Sequence, residues 1–285
     1  MTRSVLSGKT CIVTGAANGL GAAIAIGLAA HGARLVLADI DDNGLARTAD
    51  RIASMSGAVG AVTHHADMRD VQQVESIVTC AIDAHGSLEV IVNNAGLGPA
   101  IVRPDFLSNP LKTWDVPVDK WRTILEVNAI GPFILSRAAI PHMLSAGRGR
   151  IINMSTSFGT MLHPNFASYG VSKAALESTT AAMAKGLEGT GVTANVILPG
   201  APVDTAQVPD DIGIPRDKLL RPEVMVDATV WLASDASALV NGRRIIAAYW
   251  DTSRTDAENL EKASAPAAWP QLIQAYALAE TGNLR

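Results

Sequence analysis

The chain has 285 residues, 48% of them apolar and 18% charged, with a formal net charge of −4 and no block of like charges. That is enough apolar material for a substantial core, and the acidic balance argues against a phosphate-backbone partner such as nucleic acid. No uninterrupted apolar run reaches the roughly 18 residues of a membrane span, and MTRSVLSGKT does not read as a signal peptide, so a cytoplasmic protein with no membrane partner is expected.

In chain order, short β-branched runs at 9–14, 34–38, 61–66, 88–92, 149–155 and 192–197 read as strands. Between them, Ala-rich stretches at 19–31, 42–54, 70–85, 119–145 and 167–188 have helical spacing. This alternation predicts an α/β fold, a doubly wound parallel sheet of the Rossmann type with helices on both faces, in a single domain over 1–285. Two proline-rich stretches, 97–118 and 199–221, read as long loops, the second one mobile. A final strand is expected within Gly242–Asp251, and the extension 250–285 reads as two short helices around APAAWP. All twelve aromatic residues lie at or beyond Phe106. Phe106, Trp114, Phe158, Phe166 and Trp250 fall on segments that could meet a substrate, whereas Phe133 and Trp231 read as core. Cys11 and Cys80 show no metal or disulfide spacing and read as packing residues in a reducing compartment. His64 and His65 have no partner spacing for a metal, and no metal is expected.

The first strand runs into Thr14-Gly15-Ala16-Ala17-Asn18-Gly19-Leu20-Gly21 and then a helix. Glycines let the backbone turn sharply and approach a pyrophosphate, and the helix N-terminus offers N–H groups and partial positive charge. Asp39 ends the second strand eighteen residues beyond Gly21, where a carboxylate can accept from an adenosine ribose. That carboxylate would repel a 2′-phosphate, and no Arg or Lys stands at 16–18 or 40 to receive one, so NAD is expected rather than NADP.

Tyr169 and Lys173 are four apart on a predicted helix and share a face. A phenol ionises near pH ~10, and a neighbouring ammonium favours its anion. With Lys173 and a positive nicotinamide ring nearby, Tyr169 would act as general acid/base.

The ordered set TGxxxGxG, Asn93-Asn94-Ala95-Gly96 after the fourth strand, and Tyr169-Gly170-Val171-Ser172-Lys173 resembles the single-domain branch of the short-chain dehydrogenase/reductase family, from about Lys9 to Ile246. The resemblance implies hydride transfer between nicotinamide and a secondary alcohol or ketone, with Tyr169, Lys173, Thr156 and Asn128 as the catalytic set. It implies cofactor contacts from Gly15, Asn18, Gly19, Leu20, Gly21, Asp39, Asp67, Met68, Asn94, Ala95, Gly96, Tyr169, Lys173, Pro199, Gly200 and Thr205. The family's substrate-oxygen serine lies thirteen residues before the tyrosine, where this chain has Thr156. Thr156 keeps the hydroxyl, with Ser155 as the alternative; strand alternation turns Ser155 and Ser157 away from the face Thr156 uses. By resemblance Asn128 holds a water in a proton relay through Lys173, though an asparagine at a helix kink would look the same. Asp67 matches the position that meets adenine, or caps the following helix. Thr205 follows Pro199 by six residues, one more than the family's usual spacing, and is placed at the carboxamide or pyrophosphate.

The residues from Gly96 to Asn128 are more numerous than the family usually has, and the last strand lacks its common DGG ending. Few cations flank Thr156–Tyr169, which favours an uncharged, partly apolar alcohol or ketone; Arg103 or Arg221 could instead hold the carboxylate of a hydroxy- or keto-acid. A homo-oligomer, dimer or tetramer, is implied through 119–145 and 167–188. The competing readings are a non-catalytic NAD-sensing regulator, or an epimerase or dehydratase on the same fold.

Overall fold

The structure is a computed structural model, and it describes residues 4–209 and 212–270. Eight strands form one sheet in the order β3-β2-β1-β4-β5-β6-β7-β8. They are β1 (Thr10–Thr14), β2 (Arg34–Asp39), β3 (Ala61–His65), β4 (Val90–Asn93), β5 (Gly149–Met154), β6 (Val192–Leu198), β7 (Arg243–Ile246) and β8 (Ser264–Pro266). The first seven pair in parallel. β1, β4, β5 and β6 are buried along their whole length, as expected of strands covered on both faces. The strand order reverses between β1 and β4, so their carboxyl ends open a crevice there, where doubly wound sheets take their ligands.

One face is covered by α1 (Gly19–Ala30), α2 (Asp42–Ala53) and α8 (Val226–Ala233), through Ile24, Leu28, Leu45, Ile52 and Leu232. The other is covered by α3 (Val71–His85), α5 (Gly131–Ser145) and α7 (Ala167–Gly186), through Ile77, Val78, Leu135, Met143 and Ala184. No Phe, Tyr or Trp occurs before Phe106, so the core around β1–β4 and α1–α3 is packed without aromatic bulk, chiefly by aliphatic side chains. Such slim layers let α1 lie close to the sheet.

The predicted helix at 119–145 is a continuous helical stretch with a fault in it. α4 (Val118–Leu125) leads into a π turn (Glu126–Ile130) and then α5. Pro132 explains the fault: it has no N–H to offer the carbonyl of Asn128, four residues earlier. The stretch Val118–Ser145 is long and apolar enough to cross a bilayer, but it is largely buried against α3 and α7, as core helices are.

Several expectations need correction. Of the two helices expected around APAAWP, the first is α9 (Asp256–Ala263), but it runs directly into β8, an unexpected strand that pairs antiparallel with β7. A second helix would lie in 271–285, outside the described residues. The loop 199–221 is tied rather than loose among its described residues. Val203 bridges Leu220, and Asp204 accepts from Arg216 at 3.0 Å and from Arg221 at 2.9 Å. Phe133 is 44% exposed rather than core, because it projects from the outer side of α5. Trp231 is partly buried as expected, but its partner there is Trp250, at 4.6 Å between centroids, which removes Trp250 from the substrate side.

Candidate active site

The turn after β1 is shaped by what the glycines leave out. A Cβ on Gly21 would lie 2.0 Å from the Gly15 carbonyl oxygen, and one on Gly15 would lie 2.8 Å from the Ala95 Cα. Gly15 also has a φ of +66°, a left-handed conformation that side chains disfavour. Asn94 secures the turn from the neighbouring strand: its Nδ2 donates to the carbonyls of Thr14 (3.0 Å) and Gly15 (3.1 Å). The Asn94 and Ala95 amides donate to Thr14 Oγ1. Asn18 stands at the N-cap of α1, yet its side chain makes no capping bond, so the first N–H groups of the helix face the crevice without one. Thr205 arrives there from the loop after β6, with its methyl 3.4 Å from where a Gly19 Cβ would be. Gly15, Gly19 and Gly21 shape a cradle at the start of α1 that could hold a pyrophosphate, with Asn18 at its N-cap and Thr205 beside Gly19; Leu20 packs instead against the core.

Asp39 ends β2 beside this turn. Its carboxylate accepts from the amides of Ala17 (3.1 Å), Ile40 (2.7 Å) and Asp41 (3.1 Å), which hold it in one orientation. Asp67 does not cap α3; Asp70 does, accepting from Gln72 (2.9 Å) and Gln73 (3.1 Å). The Asp67 carboxylate is instead clasped by Arg69, at 2.5 Å to Nη2, and that bond holds its pKa below the ordinary value. Met68 is buried in the core, its main chain pressed against Gly131 at the end of the π turn. Pro199 and Gly200 are stapled to the end of β7 by the Ala248 amide, which donates to Pro199 O at 2.9 Å. Gln207, which the sequence did not single out, reaches across to donate to Gly96 O at 2.8 Å.

The reactive end is built on the face of α7 that meets β5. Tyr169 is half-buried, with the Thr156 side chain beside its phenol. Burial pushes the phenol above the ordinary value, and the neighbouring Thr156 hydroxyl works against that rise. Lys173 is 3% exposed and donates to Met154 O at 2.9 Å, with its Nζ 5.8 Å from the Tyr169 ring centroid. Burial brings its ammonium down to about 8. The phenol is thus raised by burial, and the ammonium is directed at a carbonyl.

The Thr156/Ser155 alternative separates cleanly in space. Ser155 Oγ points inward and donates to Glu177 Oε2 at 3.1 Å, while Ser157 Oγ caps the short helix α6 (Phe158–Leu162). Only Thr156 of the three meets Tyr169. Asn128 is buried, but its side chain is fully engaged: Oδ1 accepts from Leu97 N (2.7 Å), and Nδ2 donates to Leu97 O (2.9 Å) and Ser172 Oγ (3.0 Å). It clamps the loop after β4, so any relay water must use its main-chain carbonyl, the one Pro132 leaves without an α-helical donor.

Phe166 stands 6.3 Å from Tyr169 between ring centroids and 5.2 Å from Phe106, forming an aromatic row beside the tyrosine. Trp114 is 79% exposed under Lys112 and plays no part in it. Arg103 is bound to Asn109 O and Arg221 to Asp204, each within its own loop, so neither is turned to the tyrosine as a carboxylate anchor. Among the described residues, no three His, Cys, Asp or Glu side chains gather where they could hold a metal; His64 meets Ser76 and His65 meets Asp42. Cys11 is buried, and its thiol is pushed up to about 12.

Comparison with known proteins follows this geometry. The profile of the short chain dehydrogenase family matches residues 9–210. A short-chain type dehydrogenase/reductase of Picea abies is 34% identical over 256 residues, covering 84% of this chain and 90% of its own length. The cis-4-hydroxycyclohexanecarboxylate dehydrogenase of Sinomonas cyclohexanicum is 33% identical, covering 82% of this chain and 92% of its own. The crystal structure of a metagenomic short-chain oxidoreductase in complex with NADP superposes with a TM-score of 0.70. It is 29% identical, over 85% of this chain and 97% of that one.

Proposed function

The chain belongs to the short-chain dehydrogenase family, whose members are oxidoreductases of alcohol and ketone groups, and on that premise we propose that it is an NAD-dependent dehydrogenase of a secondary alcohol that is uncharged and partly apolar. The observation that carries the reading is the grouping of Tyr169 with the Thr156 hydroxyl and with the buried Lys173, one helical turn away on α7.

The bound cofactor supplies the hydride acceptor. Gly15, Gly19 and Gly21 admit its pyrophosphate to the N-terminus of α1, and Asp39 receives the ribose hydroxyls. A substrate hydroxyl placed between Thr156 Oγ and Tyr169 Oη is held by the first and loses its proton to the second. Burial opposes that transfer, since it holds the phenol protonated; the Lys173 ammonium and the Thr156 hydroxyl are the features of this chain that favour the phenolate. Lys173 Nζ and the Asn128 side chain both stand beside Gly96, at the end of the loop after β4.

NAD is favoured by Asp39. Its carboxylate is fixed by three amides and would face a 2′-phosphate with like charge, and the nearby Arg47 lies 3.6 Å from Asp41 rather than at Asp39. The NADP-bound relative shows that this choice varies within the fold, so it rests on this chain's own residues. Phe106 and Phe166 beside Tyr169 favour an apolar ring or chain on the alcohol. Ile130, Phe133 and Val171, each more than 40% exposed on the outer helices, support a homo-oligomer.

The test is a screen of secondary alcohols, cyclohexanol and its 4-substituted derivatives among them, with NAD and with NADP, read by absorbance of the reduced cofactor. Tyr169→Phe should keep NAD affinity and lose turnover. NAD binding with no turnover across the panel would favour the sensing role instead, and turnover at the parent rate in Tyr169→Phe would refute the mechanism.

A further inference from the structure

Behind Thr156 lies a charged pair that the hydride-transfer mechanism does not use. Glu177 is fully buried on α7, one turn beyond Lys173, and is ion-paired with Arg244 of β7, itself 4% exposed. Each partner has further duties. Arg244 Nη2 donates to the Thr156 carbonyl at 2.5 Å, and its guanidinium lies 4.1 Å from the centroid of the Phe158 ring. Glu177 accepts from Ser155 Oγ at 3.1 Å and from the Ala268 amide at 3.3 Å. Ser155 and Thr156, the two residues that follow β5, are therefore fastened to one buried ion pair.

The tail is bent to reach it. Ala268 and Trp269 take φ of +58° and +53°, two successive non-glycine residues in the left-handed region, which side chains disfavour. The bend brings the Ala268 amide to Glu177 and sets the Trp269 ring 5.4 Å from Phe158. A buried ion pair is a poor source of stability compared with packed apolar groups, so its use here asks what else it does. A guanidinium can serve a carboxylate and a carbonyl at once from one rigid plane, which a lysine cannot.

We infer that Arg244 and Glu177 are positioning residues: together they set where the Thr156 hydroxyl stands relative to Tyr169, with the Ala268–Trp269 bend covering the pair. This rests on the catalytic reading of Thr156 and Tyr169, so the test uses neither substrate nor cofactor. In a Tyr249→Phe/Tyr276→Phe background, 3-fluorotyrosine reports Tyr169 alone by its fluorine resonance and its titration. Thr156→Val should move the resonance and raise the phenol midpoint by about one pH unit, the size of one hydrogen bond to an ionised oxygen. Arg244→Lys, which keeps a cation for Glu177 but loses the planar fork, should move both in the same direction. Arg244→Lys combined with Thr156→Val should go no further than Thr156→Val alone. Glu177→Gln carries the same test should the lysine variant fail to fold.

A folded Arg244→Lys or Glu177→Gln protein with the parent resonance and midpoint, while Thr156→Val shifts both, would overturn the inference alone. Lower thermal stability with an unmoved phenol belongs to that same negative result. A silent Thr156→Val would overturn the catalytic reading along with it.

Discussion

Replacing Lys173 with methionine should change stability in a way that depends on pH, because the lysine is held at about 8 by burial against an ordinary 10.5. Between those two values the folded chain binds fewer protons at this site than the unfolded chain does. Parent stability therefore rises with pH across that window, and the penalty for burying the cation is fully present only below it. At about 1.4 kcal/mol per pH unit, the span is worth about 3 kcal/mol. Methionine keeps the length of the side chain without its charge, but it leaves the Met154 carbonyl without its 2.9 Å donor, a loss of about 1–3 kcal/mol that does not vary with pH. Urea unfolding of both proteins at a series of pH values from 7 to the alkaline limit checks this. The difference between the two curves should swing by about 3 kcal/mol in favour of the parent as pH rises, while the variant turns over no alcohol at any pH. Parallel curves would mean that Lys173 keeps an ordinary pKa in the folded chain, and the account of a desolvated site would fail.

Asp39→Ser removes the charge that selects the cofactor. It should raise the KM for NAD by about tenfold or more, the worth of a hydrogen bond to a charged group, and narrow the preference over NADP, as steady-state kinetics with both would read. Thr156→Val should lower kcat by about 100-fold, as loss of an oxygen-stabilising donor does, while Thr156→Ser retains activity. Ser155→Ala should lower kcat far less, because its hydroxyl serves Glu177 and not the substrate; its effect should be seen in the melting temperature. Gly21→Ala puts a Cβ 2.0 Å from a backbone oxygen, with no flexible group to give way. It should abolish NAD binding by calorimetry even where the protein remains folded.

The parts of this molecule that follow from local rules could be read along the chain. The six strands predicted from β-branched runs lie within two residues of β1–β6, because continuous aliphatic runs have one favourable setting in a covered parallel sheet. Gly15, Gly21, Asp39, Tyr169 and Lys173 could be read because their chemistry depends on short spacings. β8 could not: three residues, Ser-Ala-Pro, carry no period, and their pairing with β7 depends on α9 turning the chain back. The Glu177–Arg244 pair was hidden for another reason, since its members are 67 positions apart and each reads alone as an ordinary charged residue. The cap that was the alternative role for Asp67 is supplied by Asp70, because two aspartates stand near the helix start and both can make that bond. The clamp that the Asn128 side chain forms on Leu97 was hidden as well, since the two are 31 positions apart.

The empty stretch before Phe106 has a consequence for anyone watching this protein unfold. Tryptophan emission and near-ultraviolet dichroism arise from Trp, Tyr and Phe, and β1–β4 with α1–α3 contain none of these. Loosening confined to the phosphate cradle would leave both signals still, whereas fraying of the tail at Trp269 or parting of Trp231 from Trp250 would register at once. Optical melting curves of this chain therefore follow one side of the sheet, and the side that takes the dinucleotide must be followed by amide hydrogen exchange.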